Sequence, residues 1–131
     1  MCAIHLTIVR QLNSIYLQAP NIPASENAAF IKYAKSWIDW VSLHHHGEET
    51  MFFPDIEKAA KLPGLMKTNV EQHHAFEEGF YKMRDHLDEI SKDPTKFNGA
   101  ELQRMIDKFA PALVTHLHDE ISTLASIPEQ P

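Results

Sequence analysis

Apolar side chains recur at steps of three and four along four stretches of the chain, the spacing of a helix that buries one face. In the first stretch Ile8, Leu12 and Ile15 share a stripe, which predicts a helix from about Ala3 to Gln18. It is stopped by Ala19-Pro20-Asn21-Ile22-Pro23, since proline cannot continue a helix. The second begins near Ser25, a good N-cap, and passes through Phe30, Tyr33, Trp37, Trp40 and His44 to about Phe52, where Pro54 interrupts it. A short helical piece, Asp55 to Lys61, is expected before Pro63-Gly64. The third runs from about Leu65 to Ser91, with Met66, Val70, His73, Phe76, Phe80, Met83, Leu87 and Ile90 on one stripe. The fourth opens at Asn98, with Glu101 three residues later as a capping pair, and carries Met105, Phe109, Leu113, His116, Glu120 and Leu124. Pro111 inside it predicts a kink or a π-bulge. No stretch shows the alternation of a strand. The expected fold is therefore all-α, an antiparallel up-down-up-down four-helix bundle formed as one domain over residues 1–131.

Composition narrows the function. Apolar residues make up 44% of the chain and no run reaches the roughly 20 residues of a membrane span, so no membrane role is expected. A formal net charge of -6 disfavours nucleic acid as a partner. The first residues do not read as a secretory signal, and Cys2, the only cysteine, cannot form an internal disulfide, so a cytoplasmic setting is expected. Histidine is the unusual component: there are nine, and seven fall at 44 to 46, 73 and 74, 116 and 118.

Each helix places one histidine on its apolar stripe: His5, His44, His73 and His116. His44 with Glu48, and His116 with Glu120, are four residues apart, which stacks imidazole and carboxylate on one helix face. Alone, such a pair is usually a surface ion pair and such a histidine a hydrogen-bonded core residue. Four helices each pointing these groups inward is another matter, because a buried carboxylate costs several kcal/mol unless it is paired or bound to metal. Imidazole and carboxylate without thiolate suit iron, manganese or zinc. Four histidines around two bridging glutamates exceed what one tetrahedral zinc uses, so two ions are expected, with iron ahead of manganese or zinc. His45 and His46 point away from the stripe if His44 points in, with a role at or beside the metal as the lesser alternative for each. His86 and His118 are expected at the solvent or beside the ligands, Trp37 and Trp40 in the core and pocket wall, and Cys2 at a frayed terminus.

The run His44-His45-His46-Gly47-Glu48-Glu49-Thr50-Met51-Phe52-Phe53-Pro54 resembles the His-His-x-x-Glu-Glu motif, followed by an aromatic residue and proline, of hemerythrin-like domains. His116-Leu117-His118-Asp119-Glu120 resembles that family's last-helix ligand pair, and the opening from His5 to Pro20 is similar to small fungal members. The resemblance implies His5, His44, His73 and His116 as terminal ligands, with Glu48 and Glu120 and an oxo or hydroxo group bridging two irons. His74 is set aside in favour of His73, because Val70, Phe76 and Phe80 share the stripe of His73 while Glu77 and Glu78 flank His74. One departure stands out: where oxygen-carrying hemerythrins have a fifth histidine, four residues after the third-helix ligand, this chain has Glu77. If Glu77 binds, the centre holds four histidines and three carboxylates. Added anionic oxygen donors stabilise higher oxidation states of iron, which favours activating oxygen over carrying it.

The expected function is thus a di-iron oxidoreductase that meets dioxygen, peroxide or nitric oxide, with a small organic substrate in the enzyme version. The rival is a protein that senses, binds or stores oxygen, nitric oxide or iron without turnover. A ferritin-like oxidase fits less well, because those bundles use Glu-x-x-His and this chain has the reverse order at longer spacing.

Overall fold

The computed structural model describes residues 1–127, which are helical wherever they are regular, with no strand among them. Helix α1 spans Cys2–Gln18, α2 Asn27–Gly47, α3 Phe53–Ala60, α4 Lys67–Ile90 and α5 Gly99–Ala125. The four long helices form the expected all-α bundle, and α1 touches α2 and α5 while α4 touches the same two. No described helix is long and apolar enough to cross a membrane.

The turns follow local chemistry. Asn98 caps α5 by accepting from the Glu101 backbone N–H at 3.0 Å. Helix α3 ends at Lys61 in the left-handed conformation, where the Leu62 N–H returns to the Glu57 carbonyl and the Lys61 N–H to that of Lys58. At Pro54 the outcome differs from the sequence expectation, and at Pro111 one of the two expected distortions is absent. Pro54 does not end the second helix: a π-helical turn, Glu48–Phe52, carries the chain straight into α3. The wider turn closes by a Phe53 N–H bond to the Glu48 carbonyl and makes room for the proline ring that a regular α turn would crowd. Pro111, by contrast, sits inside an α5 that stays α-helical from Gly99 to Ala125, with no π-bulge there.

Packing sorts the bundle along its axis. At one end the core is wholly apolar, built from Ile15, Phe30, Leu87, Ile90 and Leu102. A layer of Trp37, Phe80 and Phe109 follows, with ring centroids 5.7 to 6.3 Å apart, and the Trp37 indole N–H is satisfied by the Ile8 carbonyl at 3.1 Å. Beyond it the same inner faces turn polar. Because neighbouring helices run antiparallel, the start of α1, the end of α2, the start of α4 and the last third of α5 meet at one end. Those are the places of His5, His44, His73 and His116.

Close approach decides one glycine. A Cβ on Gly99 would lie 1.9 Å from the Ala19 carbonyl oxygen and 2.3 Å from its carbon, both backbone atoms that cannot swing aside, whereas one on Gly47 meets nothing within 4 Å. Gly99→Ala should therefore lower stability by about 2 kcal/mol or more. Gly47→Ala, inside a helix with open space around it, should be neutral or raise stability by up to about 1 kcal/mol. Urea unfolding of the two variants checks both signs.

Candidate metal centre

Six polar side chains are buried together where the helices meet: His5, His45, Glu48, His73, His116 and Glu120, with His44 at their edge. Among the described residues their ligand atoms form two groups, His45 with Glu48, His73 and His116, and His5 with His44 and Glu48, every atom within 4.8 Å of the others in its group. Glu48 belongs to both. Its Oε1 lies 2.8 Å from His44 Nε2 and its Oε2 lies 3.5 Å from His73 Nε2, so its two oxygens face different groups. Glu120 spans them as well, with Oε2 3.7 Å from His5 Nε2 and 3.3 Å from His116 Nε2.

Partners on the outer side fix which ring nitrogen faces in. His5 Nδ1 donates to the Leu117 carbonyl at 2.8 Å, and His73 Nδ1 to Glu49 Oε1 at 2.5 Å. His116 Nδ1 meets Gln72 Oε1 at 3.4 Å, a long contact held in place because the Gln72 amide donates to Asp119 at 2.8 Å. With the proton on Nδ1, each Nε2 presents a lone pair to the interior, the arrangement second partners impose on metal-binding histidines. Aromatic rings wall the centre: Phe53 stacks on His73, Trp40 on His44, and Phe76 packs against His45, His73 and His116.

The inward atoms lack protein partners. His5, His44 and His45 Nε2 and both oxygens of Glu48 and Glu120 are buried without any contact of hydrogen-bond geometry, although several lie close together. Such a set of lone pairs and negative charge is too costly to bury without a cation. The spacing fits one: two ligands at right angles on bonds of about 2.1 Å lie about 3.0 Å apart, and His73 Nε2 and His116 Nε2 are separated by 2.9 Å. Electrostatics agree. Burial lowers His45 to about 2 and His116 to about 3, in both cases with help from the neighbouring His73, so these rings stay neutral and able to bind. Burial raises the Glu48 carboxyl, but the facing imidazoles of His44, His5 and His73 outweigh it and the net shift is downward. Burial and then the Glu48 charge push Glu120 up to about 7. Burial lowers His73, but Glu48 and Glu49 outweigh it and hold the ring above its ordinary value.

The sequence profile of the hemerythrin HHE cation-binding domain matches residues 2–127. The chain belongs to the hemerythrin family. A curated relative, the dimeric xanthone biosynthesis cluster protein R11 of Cryptosporiopsis sp. (strain 8999), is 34% identical over 132 aligned positions, covering 100% of this chain and 50% of that protein. The chain thus spans about half the length of the relative it matches. No solved structure matches it. With the family shown, the cluster of buried histidines and glutamates is its metal-binding site.

Two sequence expectations for this hemerythrin-family site change. Glu77 is not brought to the centre: it is half-exposed and pairs with the exposed His74 at 3.0 Å, because Phe76 and Phe80 take the inner positions of that stretch of α4. His45, expected to point away, is buried in the cluster, while His46 is exposed. The signal for His45 is present in the chain, since Ile31, Ala34, Ile38, Val41 and His45 form a second line at steps of three and four beside the one ending in His44. Glu49, also unassigned from sequence, is the partner of His73. Cys2 and His118 are exposed, and His86 lies 13 residues past His73, about 20 Å along the helix.

Two outcomes follow. Metal binding needs the Glu120 carboxylate, so its proton near pH 7 must leave; affinity should fall by about tenfold per pH unit below 7 through this group and level off above it. His45 and His116 stay neutral through that range and add nothing to the slope. The His73 ring, held above its ordinary value, must also lose its proton to bind and steepens the fall, and metal titrations between pH 5.5 and 8 read the combined slope. Glu49→Gln should weaken metal binding by about 10- to 100-fold through a less well-held His73, measured by competition with a chelator.

Proposed function

We propose that the chain is a non-haem di-iron protein whose two ions, held between α1, α2, α4 and α5, react with dioxygen, peroxide or nitric oxide, and that it acts as an oxygen-activating oxidoreductase. The observation that carries this reading is the placement of Glu48, whose two oxygens face two different sets of imidazoles, with Glu120 spanning the same sets. One ion would leave one of those sets without a cation. Imidazole with carboxylate and no thiolate suits iron, which when bound supplies one-electron redox chemistry.

The chain's own groups define what such a centre does. Glu48 and Glu120 would hold the two ions together, and Glu49, Gln72 and the Leu117 carbonyl keep the imidazoles aimed. Phe53, Phe76 and Trp40 exclude water from the inner face, which strengthens electrostatic interactions there. Behind His5, a groove of about 270 Å³ between α1 and α5 is lined by Leu6, Val9, Val114, Leu117 and Ile121. A small apolar organic substrate fits there, at the edge of the centre. The relative's name links it to a dimeric xanthone biosynthesis cluster, which supports an organic substrate for this chain as well.

Protein purified without added metal should carry about two irons per chain by elemental analysis. Reduced protein exposed to air should consume oxygen irreversibly. A spectrum that returns to its starting form on degassing would replace the enzyme by a reversible oxygen-binding protein, and a metal other than iron would remove the redox reading.

A further inference from the structure

The two ion positions are not equivalent in the residues that face them, and the difference comes from a side chain outside the expected ligand set. We propose that His45 is a fifth imidazole ligand, supplied by α2 where α4 offers only the outward Glu77, so that one ion is faced by three histidines and the other by two. This rests on the two-ion reading above.

His45 is 8% exposed, a ring in the bundle interior and not on its surface. Its centroid lies 4.4 Å from that of His73 and 5.3 Å from that of His116, and Phe76 closes the remaining side at 5.1 Å. Its Nε2 is fully buried with no hydrogen-bond partner, and it shares a ligand group with Glu48, His73 and His116. A core histidine held for packing alone would be expected to satisfy that nitrogen from the protein. Glu77, the competing donor, already has His74 as its partner on the outer side of α4.

The inequality has a consequence for loading. The position faced by His45, His73 and His116 gathers three nitrogen donors beside Glu48 and Glu120, and one of its rings is backed by the Glu49 carboxylate. The position faced by His5 and His44 has only two nitrogen donors beside the same two carboxylates, so oxygen makes up a larger share of its donors. Nitrogen-rich sites bind cobalt, iron and zinc more tightly than oxygen-rich ones of similar charge, so the first ion enters beside His45 and the second follows.

The test is anaerobic titration of the metal-free full chain with cobalt(II), reading bound metal by elemental analysis and ligand type by the visible absorption of the ion. Wild type should take up about two ions in two separable steps. His45→Ala should lose the tighter step and retain about one ion, while Glu77→Gln should match wild type in both steps. His45→Gln, which keeps a polar group of similar bulk, carries the same test if the alanine variant loses helix by circular dichroism. An unchanged two-step isotherm in a folded His45 variant would overturn the proposal, as would loss of an ion in Glu77→Gln with His45→Ala unaffected. Wild type that takes up only one ion would instead overturn the two-ion reading, and this inference with it.

Discussion

The rest of the molecule is arranged around one electrostatic problem: two carboxylates and a ring of imidazole lone pairs sealed at one end of a four-helix core. Glu48 and Glu120 are 2% and 0% exposed, and no lysine or arginine lies near enough to pair with either. Water cannot solvate them, and among the described residues only imidazoles face their oxygens, none in hydrogen-bond geometry. Only a cation resolves such an arrangement without protonating the acids, and the raised Glu120 carboxyl is how the metal-free chain accommodates it.

Supporting that centre divides the bundle into tasks. The apolar end and the Trp37, Phe80 and Phe109 layer supply burial that does not depend on metal, so the helices have a reason to associate before any ion arrives. The polar end is then held open by that packing. Its histidines are aimed by groups of different kinds: a backbone carbonyl for His5, a carboxylate for His73 and a side-chain amide for His116. A carboxylate partner makes its imidazole a stronger donor than a carbonyl or an amide does, so His73 is the most electron-rich of the three. The π-helical turn after Gly47 serves the same end, because it follows Glu48 with Glu49 in a phase that lets both reach His73 from different sides.

Much of this was legible in the chain. The helical period and the proline clusters fix four long helices, and the Asn98 cap and the stop after Gln18 lie where local chemistry demands. Spacing within a helix is equally legible: a residue four places on lies one turn along the same face, so His44 with Glu48 and His116 with Glu120 follow from sequence alone. Four such faces in an antiparallel bundle must meet at one end, which is why His5, His44, His73 and His116 could be grouped before any coordinates.

The sequence by itself determined the helices, the faces that carry donors and the end at which they converge, because those depend on the fixed geometry of one helix and on short connections. The tertiary structure alone decided that His45 enters the centre beside His44. His44 and His45 stand about 100° apart on α2, and both border an apolar face wide enough to admit either; only the packing of α4 and α5 against that face seats His45 among His73, His116 and Phe76. Glu77 was excluded in the same way, since a position near the edge of a helical stripe turns inward or outward according to the bulk of its neighbours, and here Phe76 and Phe80 fill the interior. Proline had the same dependence on context: Pro54 passes through a widened turn and Pro111 through an unbroken helix, because flanking packing decides whether a lost backbone bond ends a helix or is absorbed.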